Sequence, residues 1–361
     1  MTYRKLIRIS FIIALIIMAL SIFWLSGFHD WIEQQYATTF FPVLGSALRF
    51  LFGWIPFSIG DLIYSTLGIL FVYQLGVFLK GIFQKGTVWH QKLQPLSSAV
   101  LIVLFVYVYF YLFWGLNYYR RGIEFQLKLE PTTATRSELL SLNSLLISRL
   151  NASKQVCLQN KDTLMTSERM FSSALEGYRA METKFPFIHY RYASLKPSLF
   201  GKIGNYVGFQ GYYNPFTGEA QINTRIPNFV QPFVTCHEMA HQLGYASESE
   251  ANFVGFLAAI HSKDKLLHYS SYLDMFLSSW NNLHAIDSVA AKELRKELHE
   301  GVKRDLRTYK EFVLQHRSFL QNWTNELYDY YLRKNRQRKG IGSYNEVTGW
   351  LIAYHKKFHV L

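Results

Sequence analysis

From Ile9 to His29 no Asp, Glu, Lys or Arg interrupts the sequence. A helix needs about 20 predominantly apolar residues to cross the hydrocarbon core of a bilayer, so this stretch has the length of a span. It is longer than a secretory h-region and no small-x-small cleavage site follows it, so it reads as a retained signal anchor. Leu62 to Leu79 is uncharged between Asp61 and Lys80, and Leu96 to Leu116 repeats the pattern, with Tyr107, Tyr109, Tyr111, Trp114, Tyr118 and Tyr119 crowding its end. These predict a second and a third span, the aromatic crowd forming an interfacial belt. Pro42 to Phe57, broken by Gly45, Arg49, Gly53 and Pro56, reads as interfacial rather than spanning. A membrane region is therefore expected over residues 1–119, with spans at about 9–29, 62–79 and 96–116.

Composition agrees with a membrane protein. Half of the 361 residues are hydrophobic and 17% are charged, against about 25% charged in soluble domains. The net charge of +13 would also suit nucleic acid, but the apolar content favours the bilayer, and no aromatic-interleaved platform accompanies the basic run Arg333 to Lys339. That run reads as a solvated helix end. Arg4, Lys5 and Arg8 flank the first span, and Lys80, Lys85 and Lys92 lie between the second and third, whereas only Arg49 lies between the first and second. By the positive-inside rule the N-terminus is inside and residues after 119 are outside, although Arg120 and Arg121 pull the other way. Cys157 and Cys236 are too few for a disulfide framework. Asp61, at the edge of the second span, reads as interfacial.

After residue 120 no uncharged run of spanning length recurs, so residues 120–361 should form a folded extramembrane domain. Thr135 to Lys154 and Thr166 to Lys184 carry apolar residues at helical spacing behind an N-capping Thr. Asn205 to Tyr213 and Glu219 to Arg225 alternate around Asn214-Pro215-Phe216-Thr217-Gly218, which is turn chemistry and predicts a hairpin. Helices are expected at 231–243, 248–262 and 265–284, then a long charged one at 287–332. The fold class is thus mainly α: a three-helix transmembrane region followed by an α+β domain with a small antiparallel sheet.

The motif that carries chemistry is His237-Glu238-Met239-Ala240-His241. Pro232 suits a first helical turn and Gly244 the position past its end, so the motif falls inside a helix of about three turns. Histidines four apart share a face and can converge on one divalent ion, while Glu238 can reach an activated water without ligating the metal. A third ligand is wanted. Past Gly244 a second helix begins near Ser247, presenting Glu248, Ala251, Asn252, Gly255 and Ala259 on one face, whose small side chains let the two helices approach closely. Glu248 faces the right way. Glu250 is the alternative ligand, but it points about 200° round the helix from Glu248 and fits better as the capping-box partner of Ser247. Asn252 is placed to orient one of the histidines. Cys236 lies one position off the ligand face and reads as a small buried hydrophobe. An oxyanion donor is left open among Tyr245, His261, Tyr269 and Tyr344.

His237, Glu238, His241 and the following Glu248-Ser249-Glu250-Ala251-Asn252 resemble the gluzincin metallopeptidases, whose third ligand is a Glu on the next helix. Ser247 stands where metzincins carry their third His. More closely, the N-terminal spans, Gly211 to Ala220, His237 to Gly244 and Glu250-Ala251-Asn252-Phe253 resemble an uncharacterised family of bacterial, Bacteroidetes-type multi-pass membrane proteins with a zincin-like domain of unknown function. The resemblance implies a Zn2+-dependent peptidase in the bacterial inner membrane, its C-terminal domain extracytoplasmic. Its ligands would be His237, His241 and Glu248, its general base Glu238 and its substrate a peptide or protein held by Ala220 to Arg225. The rival reading is a non-catalytic, membrane-anchored binding or structural module. An intramembrane protease is disfavoured because charged residues follow the motif within two turns. Nothing in the sequence fixes the oligomeric state.

Overall fold

The structure, a computed structural model, describes residues 3–83, 89–131, 133–162, 164–335 and 346–361. Tyr344, Lys85 and the basic residues 336–339 lie outside the described residues. Helix α1 (Tyr3–Leu25) is followed by a short α2 (His29–Trp31), a π-helical stretch (Ile32–Phe40) and α3 (Phe41–Phe52). Two long helices follow, α4 (Ile59–Phe83) and α5 (Trp89–Phe113). A 3-10 turn (Gly115–Tyr119) and α6 (Gly122–Leu127) then lead into α7 (Arg136–Gln159) and α8 (Ser167–Lys184).

Among the described residues two helices are long and apolar enough to cross a bilayer, Leu6–Leu25 within α1 and Ile59–Gly81 within α4. α5 is also a helix, but among the described residues its apolar part is Ser98–Phe113, shorter than a span, so two candidate membrane helices are found where three were expected. α5 lies along α1, with Arg8 donating to the Ser98 hydroxyl (3.0 Å) near one end and His29 Nδ1 2.9 Å from the Tyr119 carbonyl at the other.

Pro42 to Phe57 forms α3 and the turn that follows it, and it is not among the helices long enough to span. One face of α3 docks on the rest of the protein through Arg49, which is buried and donates to the carbonyls of Arg191, Tyr192 and Gln242 at 2.9–3.1 Å. The other face exposes Val43 and Phe50. Asp61 is likewise not at an open edge. It is fully buried, accepting from the Tyr212 hydroxyl and, at 2.7 Å, from Leu199 N–H. Beside it, the buried Glu219 carboxylate takes Ile59 N–H (3.1 Å) and Gly60 N–H (2.7 Å), capping the first turn of α4, where unpaired amides favour a negative charge.

The remainder is a helical body around a small sheet. β1 (Leu195–Pro197), α9 (Gly201–Val207), β2 (Gly211–Asn214) and β3 (Glu219–Ile222) precede α10 (Gln231–Gln242), α11 (Glu248–His261) and α12 (Lys265–Ile286). The last helices are α13 (Ser288–Lys296), α14 (Glu300–Gln315), α15 (Phe319–Lys334) and α16 (Val347–Phe358). The expected hairpin forms, β2 and β3 pairing antiparallel from Gly211 opposite Ile222 to Asn214 opposite Glu219. Its first strand is shorter than the alternation suggested, because Asn205 to Val207 belong to α9. The sheet is mixed rather than antiparallel: β1 joins β3 in parallel, giving the order β1-β3-β2. The single helix expected at 287–332 is three, since Asp287, His299 and Ser318 each turn a side-chain acceptor onto a new helix N-terminus and so stop the preceding one. Thr135 with Glu138 forms the capping box that starts α7, as its sequence predicts.

The main core gathers α7, α8, α10, α11 and α12 around Leu146, Tyr178, Met239, Phe253 and Phe276. A second cluster, including Leu15, Ile22, Tyr36, Trp114, Tyr213 and Ala246, joins α1 and the end of α5 to the hairpin and to the α10–α11 connection. The membrane-type helices therefore pack directly against the region that carries the motif.

Candidate metal centre

Helix α10 begins with Pro232 in its first turn and ends at Leu243, after which Gly244 adopts φ +83° and turns the chain back. α11 then returns against α10. The approach is close because Gly255 has no side chain: a Cβ there would lie 2.9 Å from the His237 backbone nitrogen. The small-residue face read from the sequence is thus the contact face.

The two histidines and Glu248 meet. Glu248 Oε2 lies 3.1 Å from His237 Nε2 and 3.7 Å from His241 Nε2, and one ligand atom from each of the three falls within 4.8 Å of the others. Both Nδ1 atoms are engaged away from this point. His237 Nδ1 is 2.7 Å from Asn252 Oδ1, and His241 Nδ1 is 2.7 Å from the Tyr245 carbonyl. A carbonyl or amide oxygen accepts, so each Nδ1 carries a proton and Nε2 is the nitrogen turned to the common point, where an ion would take the place of any proton it holds. Burial opposes an ionised Glu248, but the charges and hydrogen bonds of His241 and His237 outweigh it and hold the carboxyl well below the usual range. Burial also lowers His237, yet Glu248 outweighs it and raises the ring to about 9. An anionic carboxylate and two aligned imidazoles are a donor set that fits a divalent ion such as zinc.

Glu238 is buried beside them. Among the described residues its Oε2 has no hydrogen-bond partner, and desolvation pushes its carboxyl up to about 7. Gly211 of β2 lies against it, where a Cβ would come 2.6 Å from Glu238 Oε1. β3, the strand expected to hold a peptide, is paired on both sides, so its edges are taken; β2 pairs on one side. Opposite, Asp274 of α12 faces the charge of His237, burial raising its carboxyl to about 6.

Glu250 points away from the centre but is not the cap of Ser247, whose side chain makes no capping bond. Its Oε1 instead accepts Ile123 N–H at 2.8 Å, because α6 brings its amides to that side of α11. Cys236 is buried, with its carbonyl taking the Tyr178 hydroxyl at 2.7 Å, and is not among the converging ligands.

The described oxyanion candidates are engaged elsewhere. The Tyr245 hydroxyl donates to Gln126, that of Tyr269 to Asp305, and the His261 ring bonds the Leu257 carbonyl. The tyrosine that does reach the centre is Tyr328 of α15, which donates to Glu248 Oε1. It stands 80 residues beyond its partner on a helix whose sequence reads as surface, and no local pattern singles it out. From the other side, Trp114 donates from Nε1 to the His241 carbonyl at 3.3 Å and stacks on Tyr213, setting the end of α5 against α10.

A family model described as protein of unknown function DUF3810 matches residues 36–352, nearly the whole chain and all of this centre. The chain belongs to the DUF3810 family. No curated protein and no solved structure matches it. DUF3810 carries no assigned activity, so the chemistry has to be argued from the residues.

Proposed function

We propose that this DUF3810 chain is a membrane-anchored, zinc-dependent peptidase. The observation that carries the reading is the convergence of His237 Nε2, His241 Nε2 and a Glu248 oxygen with both Nδ1 atoms already committed, beside a buried Glu238 oxygen that has no partner among the described residues. Zinc, when held by these three residues, supplies Lewis acidity and acidifies water. The chain supplies the rest. Glu238, with its carboxyl raised to about 7, is tuned to take a proton near neutral pH and to return it to a leaving amine. Asn252 and Tyr328 hold a histidine and the carboxylate in place. The free edge of β2 next to Glu238 suits an extended peptide bound by strand addition.

The helical spans α1 and α4 support attachment to a membrane. The helical body meets α1 at its C-terminal end, where Arg121 pairs with Asp30 and Arg120 with Glu33. A crossing α1 therefore puts that body on the side opposite Arg4, Lys5 and Arg8, which is the outer side if those charges remain inside.

The test uses detergent-solubilised full-length protein. Bound zinc and chelator-sensitive cleavage of a peptide library are expected, and Glu238→Gln should keep the zinc while losing about 10²–10⁴ of the rate. Undiminished cleavage by Glu238→Gln would remove the mechanism. Zinc without any cleavage in the wild type would favour the non-catalytic binding module.

A further inference from the structure

Helix α15 has three faces rather than two. At about 100° per residue, Gln321, Thr324, Tyr331, Leu332 and Asn335 share the face that packs on the protein, with the partly exposed Tyr328 among them reaching Glu248. Asn322, Asn325, Glu326 and Arg333 form an exposed polar face. Between them Phe319, Trp323, Leu327 and Tyr330 form an apolar stripe that is nevertheless exposed, Phe319 by 80% and Trp323 by 59%. On α9, to which α15 is hydrogen-bonded, Leu199 just before the helix and Ile203 within it are likewise exposed, by 57% and 61%. A monomer gains nothing from such a stripe in water, and contiguous apolar patches of this kind mark interaction surfaces.

What covers it follows from where the two helices are fastened. α9 begins beside the first turn of α4, since Leu199 N–H donates to Asp61 at 2.7 Å. α15 is tied to α9 at its start, with Ser318 and Thr324 donating to the Tyr206 and Val207 carbonyls at 2.6 and 2.8 Å. At its end it is tied to the close of α5: the Tyr331 hydroxyl donates to that of Tyr118 (3.1 Å), and Tyr111 donates to Asn335 (2.7 Å). The stripe thus lies on a helix fastened, through α9, near the start of α4 and, directly, to the close of α5, and α4 itself exposes apolar side chains such as Ile69 and Phe71. Lys202 and Lys334 stand exposed on these two helices, suited to anionic headgroups.

We propose that α9 and α15 form a membrane-seated apron, with Leu199, Ile203, Phe319, Trp323, Leu327 and Tyr330 buried at the boundary between lipid headgroups and acyl chains. This rests on the membrane part of the reading above and not on its hydrolytic part.

The experiment reconstitutes the full chain into phosphatidylcholine–phosphatidylglycerol vesicles and attaches an environment-sensitive fluorophore to one introduced cysteine at a time. The two native cysteines are buried and stay unlabelled. The sites are Leu327→Cys on the stripe, Asn325→Cys on the polar face and Phe71→Cys on α4. At 327 and 71 the emission should shift to the blue and be quenched by lipids brominated on their acyl chains, and at 325 it should do neither. Quenching at 71 without quenching at 327 overturns the apron and leaves the membrane anchor standing. A blue shift at 327 that brominated lipid does not quench also overturns it, assigning the stripe to a second copy or another protein. Absence of quenching at 71 and 327 together overturns both the apron and the anchor.

Discussion

Asn252 illustrates how a neutral side chain tunes a charged site. By accepting from His237 Nδ1 it selects the tautomer whose Nε2 faces Glu248. Replacing an orienting partner of a ligand typically costs 10–100-fold in metal affinity. Asn252→Ala should therefore weaken zinc binding by about that factor in competition with a chromophoric chelator, with little change in folding. Glu33 works differently. Burial opposes its charge, but Arg120, paired at 3.0 Å, and the amides of Arg121 and Gly122 outweigh this, so its carboxyl is lowered. A lowered carboxyl contributes stability that is present above its unfolded value of 4.5 and is lost as the pH falls below it through the folded value. Glu33→Gln leaves Arg120 buried without its counter-charge, a loss of about 3–5 kcal/mol. Denaturation at neutral pH should show that loss, and the acid limb of the wild-type stability curve should flatten in the variant. An unchanged acid limb would mean that the pair carries no net stability.

At the scale of elements, the centre is a property of two helices held at one distance. Gly255 sets that distance. In Gly255→Ala the new methyl carbon meets the His237 backbone nitrogen, and backbone cannot swing aside as a flexible side chain can. Overpacking of this kind costs about 1–3 kcal/mol, and because it moves Glu248 away from both histidines, metal affinity should fall with stability. Gly68→Ala on α4, where an added Cβ meets nothing within 4 Å, is the control and should leave metal binding unchanged. The hairpin is the other element that matters. Phe216 at its tip stacks on Tyr109 of α5 and meets Tyr64 of α4 edge-on, so the strand beside Glu238 and the two long helices are joined through one ring.

For the whole molecule the consequence is that the long apolar helices, the sheet and the centre pack on one another. A ligand that binds the folded state alone stabilises it by mass action, by about 2.7 kcal/mol at a hundred times its dissociation constant. Chelation should therefore lower the thermal unfolding temperature of the solubilised protein, zinc should restore it, and His241→Ala should show neither response. A wild type insensitive to both treatments would argue that no ion is held. Periodicity and spacing were enough to foresee α10, α11, their Gly-lined contact and the spatial convergence of His237, His241 and Glu248. They were also enough for the hairpin and for α1 and α4, because each of these is written in residues a few positions apart. They misjudged Glu250, which in isolation looks like a cap, and gave no sign of the partners of Asp61 and Arg49. Each of these charges is satisfied by a backbone amide, carbonyl or hydroxyl from a distant segment, and no local pattern announces such a partner. The sequence by itself determined the apolar runs and the two imidazoles four residues apart, since helix geometry turns that spacing into a shared face. Only the tertiary structure decided that Tyr328 would reach Glu248, that β3 would be paired on both sides by β1 and β2, and that the stripe on α15 would stay exposed. Those depend on how distant elements pack, which follows from the burial of the whole chain rather than from any stretch of it.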